Sequence, residues 1–336
     1  MATIISDEAL NYAILVFTKV LSPVVQVIAI FVNVINVITF NKIGLRDGVN
    51  ITFLCLSVSD LAYVTLDASK VITLTISLSP WQRDLPVSTL SLSGIIQFYQ
   101  YIFMDTSTCL ETYLAITRCC CVAMPLQFRD TFTFYRTMFI ITCIFLCNTL
   151  FRMPLLTSYC LTWQTSPLTN LTKLTFTPLN TFQLFNNVEL VVGRTIFPVT
   201  FLVISILCSV ILTRSLIKAS VKRNFMTFVA AKYRDKGNNP KLSSKELQMV
   251  KATALVITVL GVLQLILSMF SLTQAALPEF FPGKRLSNIH TVFTLLINLL
   301  INLHCAYKII IYVKLNTRYR ALAPDLFSIL NAVNSL

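Results

Sequence analysis

Seven apolar stretches, at about 20–41, 50–78, 89–122, 136–160, 187–213, 252–277 and 288–313, dominate the chain and restrict what it can fold into. Each exceeds the roughly 20 residues that an α-helix needs to cross a bilayer. Only 12% of the residues are charged and 55% are hydrophobic, whereas a soluble domain carries about 25% charged residues. The expected fold is an all-α membrane protein: a seven-transmembrane helix bundle over 20–313, preceded by an extracellular 1–19 and followed by a cytosolic 314–336. In that tail Leu322, Phe327 and Leu330 suggest a short amphipathic helix along the membrane. The first stretch follows Asp7, Glu8 and Lys19 without a small-residue cleavage signature, which favours a retained span over a removed signal peptide.

Basic residues orient the bundle. One set of loops carries Lys42, Arg46, Arg129 and Arg136, then the run from Arg214 to Lys251, and the tail adds Lys314, Arg318 and Arg320. The opposite loops hold only Arg83, Lys173, Lys284 and Arg285. The positive-inside bias therefore predicts an extracellular N-terminus and a multi-pass protein of the plasma membrane. The net charge of +13 then reflects topology and anionic lipid, not nucleic acid. The sequon Asn170-Leu171-Thr172 falls in the longest outer loop, a candidate glycosylation site. A second match at Asn50 lies at the inner membrane edge and is discounted.

Enzyme chemistry finds no foothold. There is no His-Glu-x-x-His and no glycine-rich phosphate loop, and His290 and His304 are the only histidines. No catalytic activity, cofactor or metal is expected. The cysteines lie mostly within spans, so a disulfide scaffold is not expected either.

Asp60 is the most costly single residue. It lies in the apolar run from Ile51 to Val64, where a charge costs roughly 2.5–3.5 kcal/mol on insertion scales. Groups of that kind face a bundle interior and mark a pathway, relay or switch.

Seven spans with an outer N-terminus, Asn33 in the first, and Asn50 followed by Leu56-Ser57-Val58-Ser59-Asp60 in the second resemble a rhodopsin-like G-protein-coupled receptor. Thr117-Arg118-Cys119 with Pro125-Leu126, Pro198, and Ile309-Ile310-Ile311-Tyr312 with Arg318-Tyr319-Arg320 continue the likeness. Within that superfamily the chain is most similar to molluscan chemosensory and FMRFamide-receptor-like proteins. The stretches that carry this are Ile5-Ser6-Asp7-Glu8, Gly44 to Ile51, Arg118 to Leu126, and Leu277-Pro278-Glu279-Phe280. Departures are equally definite. Thr117 replaces the acid before the arginine, the sixth span lacks its tryptophan and proline near Gln264 and Ile266, and Lys308-Ile309 replaces an asparagine-proline pair. No cysteine lies near Ser93 for the usual disulfide.

The resemblance implies roles. Asn33, Asp60 and Ser107 correspond to an inner polar pocket that holds sodium in relatives. Lys308 projects to the same place with His304 one turn away, so an Asp60–Lys308 ion pair is expected in place of the ion. Arg118 and Tyr312 correspond to the inner switch that meets a heterotrimeric G protein, with Glu246 as a resting partner for Arg118. Arg214, Lys218 and Lys222 share one face of an extended fifth helix. Ligand-binding candidates are Asp67 and Lys70, one turn apart, with Gln100, Asp105, Arg152 and Arg194. Gln100 stands where amine receptors carry an aspartate, which disfavours an amine. The two arginines suit an acidic or zwitterionic small molecule or short peptide. Glu111 has no counterpart in the pattern. The expected function is thus a chemosensory receptor. Its alternatives are a ligand-gated channel of reversed seven-span topology, with a cytosolic N-terminus, and a decayed, non-signalling receptor.

Overall fold

The structure is a computed structural model describing residues 5–45, 48–77, 79–123, 131–165, 171–232, 244–280, 283–315 and 319–322. Side chains at 83, 122–123, 216–232, 244–258, 260, 278 and 314–315 also lie outside the description. Helix dominates, and five helices are long and apolar enough to cross a membrane. The protein is a membrane-embedded, multi-pass chain.

The first helix, α1, runs over Asp7–Ile43, starting 13 residues before the expected span. Ser6 starts it by accepting from the Ala9 N–H at 3.2 Å, and Asp7 and Glu8 in the first turn complement the helix dipole. Gly44, at φ 94°, ends it in a conformation open chiefly to glycine. Helix α2 is Gly48–Ser77, α3 Thr89–Ala123 and α4 Phe134–Thr157. Helix α5 runs continuously through Phe182–Val188, Glu189–Ile196 and Phe197–Lys232; α6 is Ser244–Ala276 and α7 Ser287–Leu315. Of these, α3 is not among the five apolar spans, and α6 contributes the shorter apolar stretch Gly261–Ala276.

Two π-helical segments interrupt the regular winding, Phe17–Leu21 in α1 and Glu189–Ile196 in α5. Each is followed within two residues by a proline, Pro23 and Pro198. Proline has no N–H to donate and its ring crowds the carbonyl four residues back, here Lys19 and Arg194. The wider π turn relieves that crowding by adding a residue to the loop.

The helices close into a ring: α1 packs on α2 and α7, α2 on α3, α3 also on α4 and α5, and α6 on α5 and α7. The outer wall is apolar, with Val27 and Phe31 of α1, Phe139 and Leu150 of α4, and Val203 and Leu207 of α5 all exposed. Buried positions include Asn33, Asp60, Asp67, Gln100, Arg152, Asn302 and Lys308. That inversion of the usual soluble pattern is what lipid selects. Polar groups must find partners inside the bundle.

Between α4 and α5 the chain forms a hairpin, β1 Tyr159–Thr165 antiparallel to β2 Thr172–Pro178, with Cys160 opposite Thr177. The span expected to reach 160 therefore stops at Thr157, and an otherwise helical fold acquires a two-stranded sheet. Alternating threonines favour that outcome: Thr162 and Thr165 lie opposite Thr175 and Thr172. All ten cysteines are free, so backbone bonds, not a disulfide, tie the hairpin to the bundle. The Leu174 N–H donates to the Pro86 carbonyl at 2.8 Å, and the Ser88 N–H to the Leu174 carbonyl at 2.9 Å. Tyr159 adds rings on both sides, 5.6 Å from Phe98 and 5.0 Å from Phe182.

Candidate functional site

Helix α3 organises the polar interior. Gln100, Met104, Ser107 and Glu111 recur every three or four residues and therefore share one face. Asp60 and Asp67 on α2, seven apart, and Asn298, Asn302 and Lys308 on α7 present the facing stripes. Three polar centres result.

In the first, the Lys308 ammonium donates to Asp60 Oδ1 at 2.8 Å and Oδ2 at 2.7 Å, and to Ser107 Oγ at 3.0 Å. Ser107 in turn donates to Asp60 Oδ1 at 2.6 Å. Glu111 joins them, with its Oε1 2.5 Å from the ammonium and 2.9 Å from His304 Nε2. Lys308 thus bridges two carboxylates, not one. Burying an ion pair is favourable only where geometry and further hydrogen bonds replace lost water, and here every ammonium proton has a partner. His304 Nδ1 is buried without a partner. A small void of about 20 Å3 lies beside this cluster, lined by Asp60, Glu111, Gln264 and His304, enough for one water. Asn33 spends its amide elsewhere, on the Ala29 carbonyl at 2.9 Å and the Cys305 carbonyl at 3.4 Å, and accepts from Asn36.

The second centre surrounds Asp67. Lys70 stands 2.7 Å away, one turn on, and Gln26, Gln100 and Asn302 donate at 2.8, 2.9 and 2.7 Å. Lys70 also donates to Gln100 Oε1 at 3.0 Å. Three helices thus close on one carboxylate carried by a fourth. These groups, expected as ligand contacts, are largely consumed by each other.

In the third, Arg152 of α4 is 1% exposed and pairs with both Asp105 and Glu189. Arg194 donates through Nε to Glu189 Oε1 at 3.1 Å and lies 3.3 Å from the Tyr101 ring centroid. Glu189 and Arg194 are five residues apart, on different faces of an α-helix but stacked in the π-helical segment. Thr195 shows the same spacing, donating to the Leu190 carbonyl at 3.1 Å. Gly193 makes the turn possible, since a Cβ there would stand 2.8 Å from Glu189 Oε2 and 3.0 Å from Phe151. The carboxylates that the arginines were expected to receive from a ligand are supplied by the chain itself. Their charges sum to zero.

Between the second and third centres lies a cavity of about 180 Å3, bounded by α2, α3, α5, α6 and α7 and lined among others by Tyr63, Tyr101, Glu189, Arg194, Phe270 and Asn298. It lies toward the hairpin end of the bundle, where its lining residue Phe98 meets Tyr159 of β1. Arg118 lies near the opposite end of α3, where the preceding Thr117 is buried and bonds its own helix at the Leu114 carbonyl, 2.9 Å away. Tyr312 is buried there edge-on to Phe40 and Phe53, with centroids 5.0 and 5.1 Å apart. Tyr319, after α7, donates to Asn36 Oδ1 at 2.7 Å, and burial pushes its hydroxyl up to about 12, keeping it a donor. Glu246 lies on α6, but its side chain, like those of Lys218 and Lys222, is outside the described residues; so are Asn170 and the tail beyond 322. Arg214 is exposed.

Glu111 and Glu189 are the site residues that sequence reasoning did not place. A helical projection puts Glu111 one turn beyond Ser107, which was a usable signal. Glu189 had none on an α-helical period; only Pro198 pointed to the altered winding. Among the described residues no group of three or more His, Cys, Asp or Glu is placed to hold a metal ion. No protein-family model matches this chain, and no curated protein is significantly similar to it.

Proposed function

We propose that the chain is a seven-span receptor of the rhodopsin-like, G-protein-coupled kind, with an extracellular N-terminus, that detects a small chemical signal. One observation carries the reading. A cavity at one end of the bundle, with polar groups in its wall, shares α3 and α7 with the buried Lys308 cluster below it and with Arg118 and Tyr312 at the far end. Helices α3 and α6 complete the seven spans; the polar load of α3 is compatible with the membrane because its neighbours shield it.

In this reading the ligand favours one arrangement of the bundle, and the Arg118 end opens to a heterotrimeric G protein. The coupling element is the ionic cluster, whose bonds join α2, α3 and α7 and so resist independent movement of any one of them. Lys308 supplies the cation that relatives take from solution as sodium.

The test is a ligand screen of the full chain in cells carrying a promiscuous G protein, with calcium release as readout. A saturable response lost in Arg118→Ala at unchanged surface expression supports the proposal. A ligand-evoked current that persists without G protein points to a channel, and a ligand that binds without any response points to a receptor that no longer signals.

A further inference from the structure

The ligand's charge can be read from the cavity wall. Resting on the receptor reading above, we infer that the cavity binds a free α-amino acid as its zwitterion, carboxylate to Arg194 and ammonium to Glu189.

Four observations converge. First, Arg194 Nη2 is buried with no hydrogen-bond partner, although Nε is engaged with Glu189, and the residue lines the cavity. A buried guanidinium donor left unmade is costly, and a carboxylate is its strongest acceptor. Second, Glu189 lines the same wall, and both arginines take its Oε1, so Oε2 carries neither of those bonds. Third, Asp105, Glu189, Arg152 and Arg194 already balance. A net anion or a net cation would leave an uncompensated buried charge, whereas a zwitterion preserves neutrality. Fourth, the size is right. A cavity of about 150 Å3 holds a benzene, so about 180 Å3 accommodates a molecule only slightly larger, such as one amino acid.

The spacing narrows the class again. Arg194 Nε and Glu189 Oε1 are 3.1 Å apart, so complementary charges on the ligand must also be close together. An α-amino acid has them on one carbon; a long ω-amino acid does not. The opposite wall, with Leu267, Phe270 and Ile297, receives an apolar side chain. The acidic-ligand and peptide expectations drawn from the arginines alone are thereby narrowed to one chemistry.

The experiment measures binding to the purified full chain in lipid nanodiscs, by thermal shift and by equilibrium dialysis. The probes are the apolar L-amino acids from alanine to phenylalanine. Alongside them run N-acetyl-leucine as anion, leucinamide as cation and 6-aminohexanoate as extended zwitterion. At least one amino acid is expected to bind at least about tenfold more tightly than all three controls, the size of one charge-assisted contact. Arg194→Gln and Glu189→Gln should each weaken it by about tenfold or more. Thr294 of α7 also lines the cavity, and Thr294→Phe, which narrows it and leaves the charges intact, should abolish binding while the protein still melts cooperatively. Equal binding of an anion or cation, binding indifferent to Arg194→Gln, or no binding to cooperatively folded protein overturns the assignment. Nucleotide exchange on a G protein separates the two proposals. Amino-acid binding without exchange removes the receptor reading and keeps the site; exchange driven by another charge class does the reverse.

Discussion

At the scale of single residues, Lys308 decides how Asp60 can exist at all. Its ammonium reaches Asp60, Ser107 and Glu111 together, which makes the charged members of the cluster unequal. Lys308→Met leaves two carboxylates buried with only His304 to answer them, and should cost about 3–5 kcal/mol, the range for breaking a buried pair. Asp60→Asn leaves Lys308 on Glu111 and should cost less, about 1–3 kcal/mol. Thermal melts of the purified variants check the order. If Asp60→Asn is the more damaging, Glu111 is not a true partner. Rescue of Lys308→Met should require both Asp60→Asn and Glu111→Gln, since either alone leaves a charge. Much of this was legible in the sequence. Asp60 and Lys308 are each conspicuous as charges within apolar runs, and His304 one turn before Lys308 follows from helical period. Glu111 was visible too, but a two-body expectation for Asp60 gave it no place.

At the scale of elements, departures from regular winding account for what a period of 3.6 residues misses. The π-helical turn at Glu189–Ile196 stacks Glu189 on Arg194, and Pro198 downstream is its physical cause. Pro198→Ala should let α5 rewind toward an α-helix and separate the two charges. The expected result is loss of ligand binding with little loss of fold, read from binding and melting on the same preparation. Gly193→Ala tests the same turn from the other side. With Glu189 Oε2 and Phe151 at 2.8 and 3.0 Å from the new Cβ, it should destabilise by about 1–3 kcal/mol as overpacking does. A melt unchanged within error would mean the turn has slack. The hairpin was the other illegible element. Its strands are seven residues each, too short to stand out beside apolar helices, and the absence of a usable cysteine said only that a disulfide was missing. Reductant should accordingly leave the melting temperature unchanged; a fall would show that Cys160 is cross-linked in the protein as isolated.

At the scale of the whole molecule, the apolar exterior and polar interior follow from one constraint, the lack of hydrogen-bonding solvent in lipid. The order and approximate limits of the long helices could be read from hydropathy, because length and apolarity are set by the bilayer. Their ends could not, since Ser6 and Gly44 at α1 and Ser158 at α4 act by local geometry that hydropathy ignores. Everything proposed about function depends on which end of the bundle faces out. The cavity must be reachable from outside and the Arg118 end from the cytosol. The most direct measurement is topology in intact cells, with an epitope at the N-terminus, another at the C-terminus, and glycosidase treatment of the wild type and Asn170→Gln. With an extracellular N-terminus, the expectation is antibody labelling of the N-terminal epitope without permeabilisation, labelling of the C-terminal one only after it, and a glycosidase shift that Asn170→Gln abolishes. Labelling of the C-terminal epitope on intact cells, with the N-terminal one protected, would contradict it and turn the Arg118 end away from any G protein.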